Sequence, residues 1–533
     1  MTSLQCHQCG ATFASCNKSA SEPCDLNPPP GTRHYALLNS NDVPLESDSV
    51  FVKVAISKID APLASLDGEI ARLRAQLQQL EEERASLSCH RDRNCAILSP
   101  LRRMPPEVLG QIFSWTLPLL RVTREKGVHI TDSPWVLTHV SRRWRAIAFS
   151  IPSLWTFFAI RFRPHMNPSL AYPLPMVETQ IARAQAQKLK IHFYGCETSN
   201  STPQKQIFQC LTKHVSRWEE LSFGLTSALF PLLKNLQGRF LSLLRLGIQW
   251  DSPKSQLGVE SIDIFEMAPA LVNVGVRSEH RSIPIRLPVQ QLTRYSLDAP
   301  WETHRGILKL ASNLVEARIF IDFDLQAWPD HGEIIQLPRL ERLFVSHPET
   351  LAYLAFPALV ALAIHTDASG EGLEHLEASL TRSSCPLRSL YFNGCPDSRT
   401  TFQILHKYPL IVDLGFIIND SDQSGAFKTL MTDLIVCGSE VAAPRLSSLF
   451  LGCFGINSYV DYEGYLEMVK SRWNSERCAL KKAALLSESG PGPEGVTLSG
   501  LKRLREEGLE LFLLDGPDAV EIMCGWLFYS RWV

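Results

Sequence analysis

The chain has 533 residues, with 53 Lys plus Arg against 55 Asp plus Glu and a formal net charge of −2. That balance gives no electrostatic reason for nucleic acid or an anionic membrane to be the main partner. At 45% hydrophobic and 20% charged residues the chain is too apolar to be disordered, and its length suits about three domains at roughly 150 residues each. The longest apolar run, residues 351–364, is short for a bilayer span and contains Pro357, so no transmembrane helix is expected. Residues 1–10 lack a basic cluster followed by an apolar core, so no secretory signal is expected either. The 14 cysteines are sparse and mostly single within apolar segments, such as Cys453 and Cys524. They read as free thiols of a reducing compartment, which places the protein in the cytoplasm, the nucleus or both.

Residues 1–55 are rich in Ser, Asn and Pro, include Pro28-Pro29-Pro30-Gly31, and read as a flexible tail. Cys6 and Cys9, followed by Gly10, have the spacing that places two thiolates on one zinc ion. Cys16, Cys24 or His34 would have to complete such a site, and no second close pair is present. An inert tail without a metal is therefore the expectation.

Over residues 56–92 the pattern changes to a heptad stripe, with apolar residues at Ile59, Leu63, Leu66, Ile70, Leu73, Leu77, Leu80 and Leu87, broken only by Arg84. Glu69, Arg72, Arg74 and the run Glu81-Glu82-Glu83 occupy the other faces. So narrow a stripe suits a partner helix, as a short coiled coil that self-associates or a helix folded back on its own chain. Gly68 within it costs about 1 kcal/mol relative to Ala.

Residues 98–160 are the most specific stretch. Pro105 and Pro106 suit the first turn of a helix, where a missing N–H costs nothing, and Glu107 complements the dipole there. Val108, Leu109, Ile112, Phe113 and Leu117 then form an apolar face that Pro118 stops. After a polar loop over 121–131, Ser133 is expected to cap a second helix with Pro134 at its first position. That helix would carry Val136, Val140, Trp144 and Ile147 on one side and Arg142, Arg143 and Arg145 on the other. Ile151-Pro-Ser-Leu-Trp155 closes the unit. About 50 residues with this many large apolar side chains cannot hide them all internally, so part must face another surface.

Pro106-Glu107-Val108-Leu109, Ile112-Phe113, Val140-Ser141-Arg142-Arg143-Trp144 and Leu154-Trp155 follow in an order that resembles an F-box, of the type expanded in mushroom-forming fungi. The departures are Met104-Pro105 where leucine is usual before the proline, Ser141 where cysteine is common, and a longer inter-helix loop. The resemblance implies docking onto the Skp-type adaptor of a cullin ubiquitin ligase through Leu101, Pro106, Glu107, Leu109, Ile112, Phe113, Val140, Trp144 and Trp155.

Beyond residue 180 a unit apolar-x-x-apolar-x-apolar recurs, led by proline at Pro269-x-Leu271, Pro338-x-Leu340, Pro357-x-Leu359, Pro409-x-Ile411 and Pro444-x-Leu446. Units without that proline begin at Trp218, Leu243, Leu292, Leu314 and Leu387, giving a period of about 25 residues, within the range of leucine-rich repeats. A generic α/β domain with buried strands is the alternative. Residues between the apolar positions, such as Glu341, Arg342, Arg388 and Ser389, would line an open concave face suited to holding a target protein. Towards the end come a helix over 467–472, a Gly/Pro loop at 488–495, a unit over 501–511 and an aromatic end at Trp526, read as a cap over the last repeat.

No Walker loop, GxSxG elbow or HExxH helix occurs, and Pro491 and Pro493 remove the N–H groups that a phosphate loop at Gly490 would need. His280, His304, His347, His365 and His375 have no Cys partner at catalytic or metal spacing. No catalytic residue and no cofactor are expected. The expected architecture is α/β: an N-terminal heptad helix and a small all-α F-box, then, over 180–533, an irregular leucine-rich-repeat-like solenoid with a curved parallel sheet. The expected activity is recognition within a ubiquitin ligase, with a coiled-coil interaction scaffold as the alternative.

Overall fold

The computed structural model describes residues 28–527 apart from 118–130, 165–172, 279, 324–331, 367–372, 395, 419–423, 438–440, 442, 455–460 and 489–491. Two compact units divide the chain, Met1–Met104 and Pro105–Val533.

In the first unit a short helix, α1 (Arg33–Leu38), is capped by Thr32, whose Oγ1 accepts from the Tyr35 amide at 3.2 Å. The long helix α2 (Glu46–Leu98) follows, 53 residues or about 80 Å of helix. It begins at Glu46 instead of residue 56 because Glu46 and Asp48 complement the dipole of the first turn, and the Asp48 carboxylate accepts from the Leu45 amide at 3.1 Å. It ends where Pro100 forces Ser99 into an extended conformation. The tail expected over 1–55 is thus partly helical. None of the α2 residues is buried.

The second unit opens with α3 (Pro106–Trp115), α4 (Leu137–Val140) and α5 (Arg142–Ser150), then a tight turn, Pro152–Trp155. The second helix expected here is two helices. Ser141 adopts extended backbone and its Oγ accepts from the Trp144 amide at 3.1 Å, so Ser141 is the cap and Ser133 is not. Ser133 instead shares a 2.8 Å hydroxyl contact with Thr116.

Parallel strands then follow one another in chain order: β1 (Phe157–Arg161), β2 (Leu189–Tyr194), β3 (Trp218–Leu225), β4 (Arg245–Trp250), β5 (Asn273–Arg277), β6 (Arg294–Ala299), β7 (Glu316–Ile321), β8 (Ile335–Gln336), β9 (Arg342–Val345), β10 (Leu354–Ala355), β11 (Ala361–His365), β12 (Ser389–Asn393), β13 (Asp413–Ile418), β14 (Ser448–Cys453), β15 (Lys482–Ser487) and β16 (Glu510–Asp515). Fourteen form one sheet in which each strand pairs with the next, and β8 and β10 pair separately. The connections hold α6 (Leu174–Arg183), α7 (Ser201–Thr212), α8 (Phe230–Lys234), α9 (Trp301–Leu308), α10 (Leu373–Ser383), α11 (Ser398–Lys407), α12 (Ser424–Leu434), α13 (Tyr462–Trp473) and α14 (Gly495–Glu506), and α15 (Gly516–Trp526) ends the described chain. Among the described residues no helix is long and apolar enough to cross a membrane.

One register fixes this sheet. Phe158, Ile191, Leu221, Leu246, Val274, Tyr295, Ala317, Leu343, Leu362, Leu390, Leu414, Leu449, Ala483 and Leu511 stand side by side across the fourteen strands, and all are buried. Their face packs on the connecting helices; Phe208 of α7 stacks on Phe223 of β3 at 4.8 Å. Every unit start read from the sequence, from Trp218 to Leu446, is buried at the entrance to a strand. The sheet nevertheless begins at Phe157, within the segment expected to end at 160 and well before residue 180.

The alternate residues form the other face, which divides into two halves. Over β1–β7 its middle row reads Ala159, His192, Ser222, Gly247, Gly275, Ser296 and Arg318. From β9 to β16 the same row reads Phe344, Ala363, Tyr391, Gly415, Phe450, Ala484 and Phe512. The aromatic end is more than a cap over the last strand: α15 lies across this second half. Ala519 and Met523 are fully buried among Phe344, Ala361, Ala363, Ile417, Ala484 and Leu486, and Trp526 stacks parallel to Tyr391 and 5.1 Å from Phe450. Of the positions expected to line an open face, Glu341 and Arg388 are exposed and Arg342 and Ser389 half-buried, at or just before the strand starts, whereas the middle row is buried or half-buried along the whole sheet except at Phe512.

Candidate protein-interaction surfaces

The helical module of residues 105–155 is built on a sealed base. Leu109, Phe113 and Trp155 have no more than 1% of their surface exposed, so they pack inside the module. Gly110 admits Ile151, whose Cδ1 would lie 2.6 Å from a Cβ added there. The Phe113 ring packs 4.9 Å from half-buried Trp144, and the Trp155 indole N–H donates to the Ala148 carbonyl at 2.8 Å. On the sheet side, the Arg183 guanidinium of α6 lies 4.4 Å from the Trp155 ring centroid, 4.7 Å from Trp135 and 4.2 Å from Phe149. Its burial lowers the guanidinium pKa. Gln180 donates to the Phe157 carbonyl at 2.7 Å, so the module and first strand are joined without a linker.

The module also exposes several apolar side chains. Val108 is 42% exposed, Ile112 is half-buried and Trp115 is 80% exposed. Their spacing of four and three places them on one face of α3. Val136 and Val140 of the second segment are also exposed, Val140 at 55%. Of the other residues expected to meet a partner, Leu101, Pro106 and Glu107 are exposed. The sequence reading did not single out Trp115, although its position seven residues after Val108 was the available signal. Arg145 is not simply a solvated cation, since its Nε donates to the Thr138 carbonyl at 2.7 Å.

The second candidate surface is the half of the sheet face over β1–β7, whose middle row, including His192, Ser222, Ser296 and Arg318, is buried, so that what it presents to solvent lies at the strand ends, at Arg161, Lys190, Gln249 and Arg277. Glu220 joins His192 and Arg245, each at 2.7 Å, although burial leaves its side chain 5% exposed. Burial alone would raise this carboxyl; the His192 hydrogen bond and charge and the Arg245 charge outweigh it and hold the group at about 2. Tyr194 and Ser222 share a 2.7 Å hydroxyl contact one row away. Where the two halves meet, Arg318 lies 3.4 Å from Asp298 and beside the Phe320 and Phe344 rings, while burial raises the Asp298 carboxyl despite Arg318. The His192–Glu220–Arg245 cluster was not anticipated, because its members are scattered in sequence and meet only through the register.

The seam of α2 is a third surface: Leu63, Leu66, Ile70, Leu73, Leu77 and Leu80 are all exposed. Among the described residues no group of three His, Cys, Asp or Glu is placed to hold a metal ion, and Cys6 and Cys9 lie outside them. Burial pushes the Cys453 thiol up to about 12 and raises those of Cys210 and Cys385, which makes them poor nucleophiles. His304 is a packing residue, its Nδ1 2.8 Å from the Tyr295 hydroxyl. No family model matches the chain, and no curated protein matches it.

Proposed function

We propose that the protein is the substrate-recognition subunit of a Skp/cullin/F-box ubiquitin ligase, holding the Skp-type adaptor on its helical module and a target protein on the polar half of the sheet face. One observation carries this reading: Val108, Ile112, Trp115, Val136 and Val140 leave an apolar flank at the surface of a module whose base is already sealed. The chain would position its target and perform no chemistry itself, raising the target's effective concentration at the transferase. Work in the cytoplasm or nucleus fits this role.

The test uses surface positions, since a charge at buried Phe113 would unfold the module. Val108→Asp and Val140→Asp in the full chain are expected to abolish co-purification of the adaptor while leaving the circular dichroism spectrum unchanged. Recovery of no adaptor by the wild-type chain, or equal recovery by both variants, refutes the assignment. The exposed α2 seam favours a second reading, an interaction scaffold without a ligase role, in which the adaptor never binds.

A further inference from the structure

We infer that the protein is a parallel, in-register homodimer held by α2. The starting point is that α2 lacks the means to stand alone. It contains Pro62, which cannot donate to the Lys58 carbonyl, and Gly68, and none of its 53 residues is buried. Helices of this kind owe their stability to the packing of an apolar face, and here that face has no cover among the described residues of the helix's own unit.

The early start of the helix lengthens the seam. With Leu63 at an a position, Val52 and Ile56 fall on the same d and a series as Ile59, Leu63, Leu66, Ile70, Leu73, Leu77, Leu80 and Leu87. Ile or Leu at a with chiefly Leu at d fits a two-stranded coil. The flanking charges decide the occupant and its direction. In a parallel pair, g-position Glu69, which joins Arg72 of its own helix at 2.8 Å, also faces e-position Arg74 of the second copy, and the reciprocal contact forms by symmetry. Arg84, the one charged residue interrupting the seam, then faces Arg84 of the second copy, and Glu83 of each copy lies beside the other's arginine, so two carboxylates flank the two guanidinium groups. Full antiparallel overlap of the seams instead pairs Asp67 with Arg74 but sets Asp60 against Glu81, which cancels that gain, and places Arg84 against Ile59. Charge complementarity therefore selects a second copy of this chain, running the same way. The inference does not depend on the adaptor assignment.

Sedimentation equilibrium of the purified full chain, 59.8 kDa, at micromolar concentration tests it. Twice the chain mass is expected, falling to the single-chain mass in Ile70→Asp/Leu73→Asp, whose substitutions lie on exposed positions. A single-chain mass for the wild type, or no change in the double variant, overturns the dimer. Direction is read with Leu80→Cys in a Cys89→Ser/Cys95→Ser background. Facing d positions should form a disulfide-linked dimer under dissolved oxygen that the background alone does not form. Doubled mass without that cross-link overturns the parallel register.

Discussion

At Gly452 a single missing methyl group lets the last helix rest on the sheet. A Cβ there would stand 2.4 Å from the Met523 sulfur. Gly452→Val is expected to cost about 1–3 kcal/mol by overpacking, read from chemical denaturation, with Met523→Ala partly offsetting it in a double-mutant cycle. Glu220 sets a different kind of limit. Its folded-state value of about 2 lies below the ordinary 4.5, so its stabilisation is complete above the ordinary range and is lost as pH falls through about 2. Glu220→Gln should therefore lower stability by on the order of 2–3 kcal/mol near neutrality, with the gap to wild type closing as the solution is acidified. A pH-independent gap would show that the carboxylate's charge is not what matters. At Phe113 and Trp115 a sequence reading cannot separate roles, for both are large aromatics on one short helix. The structure does: Phe113→Ala should cost about 3–5 kcal/mol, and Trp115→Ala little beyond ±0.5 kcal/mol.

Among the elements, α15 is the one whose placement changes what the protein presents. Met523→Asp together with Ala519→Asp is expected to lift it from the sheet, uncovering Ile417, Tyr391 and Phe450 and raising binding of a hydrophobic dye, while the strands persist by circular dichroism. Unchanged dye binding would mean the helix is held by other contacts. The strands were legible where Leu, Ile or Val filled the apolar positions, as at Leu271-x-x-Val274-x-Val276. They were missed at β2 because the register irregularity at Leu189 and Lys190 leaves Lys188 at the first position of the pattern, at β15 because Ala483 occupies its second, and at β1 because Phe157 follows Trp155 almost directly. The covering of the second half was foreshadowed too: Phe344, Ala363, Tyr391 and Phe450 make those strands apolar on both faces, as strands buried on both sides are. The break at Ser141 escaped notice because the apolar spacing runs through it, and only the serine's own backbone competition ends the helix. The module's apolar flank was legible in composition, but which residues would be spent inside it was not, since that depends on how α3 closes on Ile151 and Trp144.

For the whole molecule, the consequence lies in the absence of a linker between Trp155 and β1. Thr156 alone separates them, and Gln180 and Arg183 tie both sides together. A partner held on the helices, as proposed, would thereby fix the heading of the strands that follow. Successive strands are about 4.8 Å apart, so excising one strand and its return segment would draw all later positions nearer the grip by about that amount. On the proposed reading the array would act as a ruler whose zero mark is a tryptophan, its reach set by the number of strands.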